Sequence, residues 1–267
     1  MVTASIYECN SSPYTFSINT NGIHILEGIY DSVVLIIAPN ISVTIYDKLQ
    51  TSARTIHILS HARCIYIQLD RYCIIESIDH IYAQQDSFMQ LLYSGSYTHT
   101  VKRSIDIYMQ ERGAQVVCTM LYALSKQAHL TINTKQHHGA PHTTSTIEVR
   151  KMQADHSFSV YNGMIHIASH ASYSNASQED KTLLTSHTAS AQSKPALEVC
   201  TQEVQCSHGS ALGIINQDYV WYLESRGITR ELAELLLKNA FFVSLLQMLD
   251  INVQKEVCQL LGIQEVE

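Results

Sequence analysis

From about Tyr14 to Cys206 the chain is a succession of short segments in which apolar and polar residues alternate, and this constrains the fold most. Clear segments are Ile41-x-Val43-x-Ile45, Ile65-x-Ile67-x-Leu69, Ile105-x-Ile107, Leu130-x-Ile132, Ile147-x-Val149 and Ile165-x-Ile167. A period of two, with β-branched residues on the inward face, is the pattern of β-strands. The breaks between them are short and polar, such as Asn21-Gly22, Pro39-Asn40 and Asn162-Gly163. Two architectures suit many short, evenly spaced strands: a sandwich or barrel, and a β-helix. Sandwich hairpins use tight Asn-Gly or Asp-Gly turns. Here Gly totals 10 and Pro 4 over 267 residues, and many breaks carry Ser, Thr, His or Gln instead. Such breaks suit the wider corners of a solenoid, although the pattern alone leaves the sandwich open. No exact repeat is visible.

After Gly213 the texture becomes helical. Asn216 is placed to cap a short helix through Ser225, with Gly227 as its stop. Thr229 caps a longer helix in which Leu232, Leu235, Leu236, Phe242, Val243 and Leu246 recur at helical spacing; this stripe is expected to be core first and partner groove second. Asn239, inside the apolar run, is the weak point of that helix. Asp250 caps a last helix carrying Val253, Val257, Leu260 and Leu261. We therefore divide the chain into a β-rich body over 1–213 and a helical subdomain over 214–267, too small to be stable alone.

The net charge of -7, from 17 basic and 24 acidic residues without a basic stripe, argues against nucleic acid as a partner. Charged residues make up 15% of the chain, a low share that points to surface covered by another chain. No apolar run approaches a bilayer's thickness, so no membrane association is expected, and Met1 to Asn10 carries no signal-peptide pattern. The seven cysteines (Cys9, Cys64, Cys73, Cys118, Cys200, Cys206, Cys258) are scattered, odd in number and free of Cys-x-x-Cys pairs, as expected of a reduced, cytoplasmic chain. Most of the 14 histidines occupy outward strand positions, as in Ile56-His57-Ile58 and Ile165-His166-Ile167. His137 and His138 are adjacent and so face opposite ways on a strand, which favours loop or structural roles.

The chemistry-bearing segment is Cys206-Ser207-His208-Gly209-Ser210, where strands give way to helices. In an extended strand Cys206 and His208, at i and i+2, face the same side. Thiolate and imidazole are good ligands for iron or a nascent iron–sulfur cluster, but two ligands do not complete a site. The others would come from another chain. The competing reading packs Cys206 as a small hydrophobe and has His208 cap the last coil by hydrogen bonding. Cys200 is expected in the core.

From His138 to Phe242 the chain resembles the SufB/SufD family of iron–sulfur cluster assembly scaffolds. The segments that carry the resemblance are His138-Gly139-Ala140-Pro141-His142-Thr143, Tyr161-Asn162-Gly163-Met164-Ile165-His166-Ile167 and Gln178 with Leu183-Leu184-Thr185-Ser186. They continue with Lys194-Pro195-Ala196-Leu197-Glu198-Val199, the Cys206–Gly209 segment, Tyr222-Leu223-Glu224-Ser225-Arg226-Gly227-Ile228 and Leu235-Leu236-Leu237-Lys238-Asn239-Ala240-Phe241. Gly209 after His208 favours the SufD branch, since SufB proteins typically carry Glu there. The resemblance implies a right-handed β-helix followed by a small C-terminal α-helical subdomain, and a non-enzymatic scaffold role in a SufBCD complex. It implies pairing with a SufB-like subunit through the β-helix, or with a second copy of this chain. It further implies that a SufC-like ABC ATPase binds the helices, where Tyr222, Arg226, Gly227, Leu235, Leu236 and Phe241 are the candidate contacts. ATP-driven SufC dimerisation would then deform the pair and expose its interface. His208 carries over as the suggested ligand of a transient cluster or iron shared across that interface, with Cys206 beside it; no cofactor is expected to stay on this chain alone. Family members commonly begin with a helical domain, whereas strand-like sequence begins here almost at once. Val199-Cys200-Thr201 also departs from the family's usual Ile-Tyr-Ala. No Gly-x4-Gly-Lys-Ser/Thr loop occurs, in keeping with an ATPase on a separate chain. Two alternatives stay open: a degenerate interaction protein without a cluster role, and a β-helical carbohydrate-active enzyme. The second lacks the paired carboxylates such enzymes need, since Glu148 and Asp155 have no close acidic partners in sequence.

Overall fold

A computed structural model describes residues 13–70 and 75–264; Cys9, Cys73 and the Met1–Asn10 start lie outside the described residues. Among these described residues sixteen strands and three helices follow in order. The strands are β1 (Tyr14–Ile18), β2 (Gly22–Ile29), β3 (Ser32–Ile37), β4 (Ser42–Gln50), β5 (Ala53–Ile58), β6 (Arg63–Asp70), β7 (Glu76–Ala83) and β8 (Phe88–Tyr97). They continue as β9 (Thr100–Met109), β10 (Gln115–Leu124), β11 (His129–His138), β12 (Thr144–Gln153), β13 (Phe158–Ile167), β14 (Asn175–Leu184), β15 (Ser190–Val199) and β16 (Gln205–Ile214). The helices are α1 (Gln217–Ser225), α2 (Arg230–Leu246) and α3 (Ile251–Leu261). Odd-numbered strands build one eight-stranded parallel sheet, sheet A, and even-numbered strands the other, sheet B. The chain thus winds as a β-solenoid, alternating between two walls. The strands lengthen from 5 residues in β1 to 10 from β8 onward, so the coils widen toward the C-terminus to about 33 Å along each wall.

The corners from sheet A to sheet B share a stacked geometry. Asn40, His61, Asp86, Gly113, His142 and Tyr173 all adopt positive φ, one in each of six successive corners from β3–β4 to β13–β14. Amides at this edge reach the next coil, as from His61 to the Gln85 carbonyl (2.8 Å) and from Asp86 to that of Arg112 (3.0 Å). Polar and aromatic residues fill most of these left-handed positions, which explains a solenoid with so few glycines. Gly113 is the exception: at φ +76° a Cβ there would lie 2.0 Å from Asp86 Oδ1.

Between the sheets, Leu35, Ile45, Ile56, Ile81, Leu91, Ile105, Ile132, Ile147 and their neighbours pack one continuous core. A line of charge runs through it. Arg54 Nε lies 2.8 Å from Asp47 Oδ2, and its Nη1 lies 3.5 Å from Asp79 Oδ1. Arg103 reaches Asp79 Oδ2 at 3.6 Å and Asp70 Oδ2 at 2.6 Å, with its guanidinium 4.7 Å over the Tyr93 ring. Tyr66 and Tyr97 donate to Asp47 and Asp70. All five charged side chains are buried. Further along, Lys151 Nζ pairs with Asp180 Oδ1 at 2.8 Å.

Three expectations need correction. Ile65, Ile67 and Leu69 face out of the solenoid, not in; Cys64, Tyr66, Gln68 and Asp70 are the buried inward positions of β6. Ile67 is buried nonetheless, because with Leu92, Leu121 and Ala123 it meets Phe242, Leu245, Leu246, Val253, Val257 and Leu261 of the helices. Covering sheet B on both faces removes the contrast that alternation normally reports. In α2, Leu232 and Leu236 are exposed, and Ala233, Phe242, Leu245 and Leu246 form the buried face, since only the second half of the helix reaches sheet B. Cys200 is exposed, because it lies one residue past β15 on the outer side of sheet A. The helix caps are as expected: Asn216, Thr229 and Asp250 accept from Asp218, Leu232 and Asn252. Asn239 is accommodated because its Oδ1 accepts from the Gln264 amide at 3.3 Å.

Candidate functional site at the open end of the solenoid

The last coil is built by β15 and β16, the terminal strands of their sheets. Among the described residues each pairs with a neighbouring strand on one side only, leaving backbone donors and acceptors along the other edge. In-register pairing decides which way their side chains point: Cys206, His208 and Ser210 lie beside Ala176, Gln178 and Asp180, all buried inward positions of β14. Cys206 and His208 therefore share the inward face, as the i, i+2 spacing predicts, but among the described residues no further coil closes over them.

Cys206 is half-buried against Ile165, Ile167, Ala171 and Ala176, and this burial pushes its thiol up from its ordinary pKa. It packs as a small apolar group, and its burial favours the thiol over the thiolate. His208 is exposed and forms no hydrogen bond or ion pair among the described residues. Beneath it, Gln178 donates to the Ala196 carbonyl at 3.3 Å and accepts from the Tyr161 hydroxyl at 3.4 Å. The coil-capping hydrogen bond considered for His208 is therefore not formed. Among the described residues no third His, Cys, Asp or Glu joins Cys206 and His208 within reach of one ion. As placed, the pair supplies at most two ligands.

The same open coil carries four further apolar residues. Leu197 and Val199 of β15 and Leu212 and Ile214 of β16 occupy inward register positions, beside Ile165, Ile167, Thr182 and Leu184, yet Leu212 and Ile214 are 55% and 60% exposed. The sequence placed the end of the β-rich body at Gly213 but singled out neither Leu197 nor Leu212 as an exposed residue of the last coil.

The helical contacts divide. Tyr222 is exposed in α1, beside the equally exposed Tyr219 and Trp221, with Val220 the buried residue of that helix. The Arg226 guanidinium lies 5.3 Å over the Tyr222 ring, while its backbone amide caps α1 on the Leu223 carbonyl at 3.0 Å. Gly227, at φ +84°, turns the chain with its amide on the Glu224 carbonyl. Leu236 is exposed and Leu235 half-buried. Phe241 lies partly within the molecule, packed on the sheet B cluster with Arg150 donating to its carbonyl. The chain therefore presents an open solenoid end bearing His208 and exposed aromatic residues on α1. Among the described residues no helix is long and apolar enough to cross a membrane.

Comparison with known proteins fits this architecture. Residues 17–241 match the family model for the SufBD core domain of SUF-system FeS cluster assembly. The iron–sulfur cluster assembly protein SufD of Escherichia coli is 33% identical over 110 residues, which is 41% of this chain and 26% of that protein. The SufD of Bacillus subtilis is 32% identical over 102 residues, covering 38% and 23%. The SufB of the same organism is 24% identical over 123 residues, covering 46% and 26%. The matched segments thus span about a quarter of these relatives' lengths. With a family model covering most of its length, and with SufD proteins above SufB in identity, this chain belongs to the SufB/SufD family and is SufD-like.

Proposed function

We propose that this chain is a non-enzymatic, cytoplasmic scaffold subunit of a SufBCD-type assembly, with an iron–sulfur cluster as its cargo. The observation that carries this is the open last coil. Two unpaired edge strands and the exposed apolar residues Leu197, Val199, Leu212 and Ile214 are a costly surface for a free protein. A SufB-like subunit that adds strands to these edges would cover them. His208 would then sit inside the joint, unpaired and free to ligate, with its remaining co-ligands on the partner. Cys206, half-buried with its thiol favoured over the thiolate, supports that joint by packing more than by ligation. A half-site of this kind suits a cluster that is built and then released. The ATPase would dock on α1, where Tyr219, Trp221 and Tyr222 are exposed together, with Arg226 and Gly227 shaping the turn and Leu236 at the edge.

The test is co-expression with a SufB and a SufC, size exclusion, and anaerobic cluster reconstitution. A stable complex whose iron–sulfur absorbance falls in His208→Ala is expected. Ile214→Asp should release the SufB while leaving the monomer folded, and Trp221→Ala should weaken SufC retention alone. Undiminished cluster in His208→Ala would support the degenerate-interaction reading instead. Failure to form any complex would leave a shared fold without the shared role.

A further inference from the structure

The outer face of sheet A carries a column of rings at one register position. His57 lies beside Tyr82, Tyr82 beside Tyr108, Tyr108 beside His137, His137 beside His166, and His166 beside Glu198. The first four rings stack, with centroids 4.6–4.9 Å apart and planes within 13° of parallel. The stack ends at His166, whose ring is tilted 54° from His137 with centroids 5.8 Å apart. The ring that leaves the stack is the one next to Glu198 and Cys200.

Glu198 and Cys200, at i and i+2, point the same way at the end of β15. The Cys200 amide donates to the Ile167 carbonyl at 2.9 Å, which keeps this residue in register beyond the strand. An imidazole nitrogen of His166, a carboxylate oxygen of Glu198 and Cys200 Sγ all lie within 4.8 Å of one another. Among the described residues the Glu198 carboxylate and the Cys200 thiol have no hydrogen bond or ion pair. Ligands on one tetrahedral ion, at about 2.0–2.3 Å from it, sit about 3.5 Å apart. The three donors therefore need only small side-chain adjustments to share one.

We propose that His166, Glu198 and Cys200 form a three-ligand site for a divalent transition metal of borderline softness, Zn2+ or Fe2+, on the outer face of sheet A. Nitrogen, oxygen and sulfur together select such ions over Mg2+ and Ca2+, which take oxygen alone. Three protein ligands leave the fourth position open to water or to a donor from outside. Cys200 binds as thiolate, its proton passing to solvent. The site is distinct from His208, which lies on sheet B and faces inward, and it does not rest on the scaffold reading above.

Anaerobic Co2+ titration of the purified chain tests it, in a Cys9→Ser/Cys73→Ser background that removes two further thiols. One equivalent of Co2+ is expected, with a thiolate-to-metal charge-transfer band and intense tetrahedral ligand-field bands. Cys200→Ser should abolish the charge-transfer band, and His166→Ala should weaken binding by about 100-fold or more. Cys206→Ser and His208→Ala should leave both features intact. Cys200 is exposed and His166 half-buried on the outer face, and unchanged circular dichroism separates ligand loss from unfolding. No bound Co2+, a band that survives in Cys200→Ser, or one lost in Cys206→Ser would overturn the proposal.

Discussion

His138 makes the fold's stability depend on pH over a window that can be worked out in advance. Its ring is buried between two hydroxyls, Nδ1 at 2.7 Å from Thr143 Oγ1 and Nε2 at 2.7 Å from Ser145 Oγ. Burial, helped by His137 and His166, lowers its pKa from 6.5 to about 4. The folded value lies below the unfolded one, so the unfolded chain takes up a proton first as pH falls. The contribution is whole above about pH 6.5 and drains away as pH drops toward 4. At 1.36 kcal/mol per pKa unit, about 2.5 kcal/mol is lost between pH 7.5 and pH 4.5. Other groups titrate there too, so the comparison must be with a variant lacking this proton. His138→Gln offers a polar side chain of similar reach that does not titrate. Urea unfolding of both proteins at the two pH values should show the wild type's advantage shrinking by about 2.5 kcal/mol. A difference that stays constant would falsify the assignment of a neutral, buried His138; so would a ring titrating near 6.5 by NMR.

The remaining predictions concern the buried charges and the helical cover. Arg103→Met leaves Asp70 and Asp79 without the guanidinium they share and should cost about 3–5 kcal/mol, read as a lowered urea midpoint. A neutral outcome would mean that water or a shifted Arg54 replaces the lost cation. Phe242→Ala should cost about 3–5 kcal/mol and raise hydrogen exchange in α2 and α3, because Phe242 is fully buried between the helices and sheet B. Exchange that stays uniform would show the helices to be held elsewhere. Gly113→Ala should cost about 1–3 kcal/mol, from positive φ and the clash with Asp86, and a tolerated substitution would mean that this corner can shift.

Local rules carried the reading of this chain a long way. Period-two alternation marked strands at Val43, Ile105, Ile132, Ile147 and Ile165, and capping chemistry placed all three helix starts, because both signals depend on neighbours in sequence. The motif around His208 placed its strand and its shared face with Cys206, since an i, i+2 pair in a strand can point only one way. What the sequence could not carry was anything set by distant packing. Ile67 looked inward because it is apolar, yet the helices make the outer side of β6 equally dry. Asp47, Arg54, Asp79 and Arg103 lie far apart in sequence, yet they pair with one another between the walls. Cys200 looked like core, and the chain's exit from β15 put it outside beside His166, a residue 34 positions away whose proximity is decided by register alone. The sequence by itself determined which segments are strands and helices and which residues carry ligand chemistry, for these depend on local backbone preference. The tertiary structure alone decided which face of each strand is buried, which coil is left open, and which ligands meet, because pairing register and layer packing join residues that the chain holds far apart.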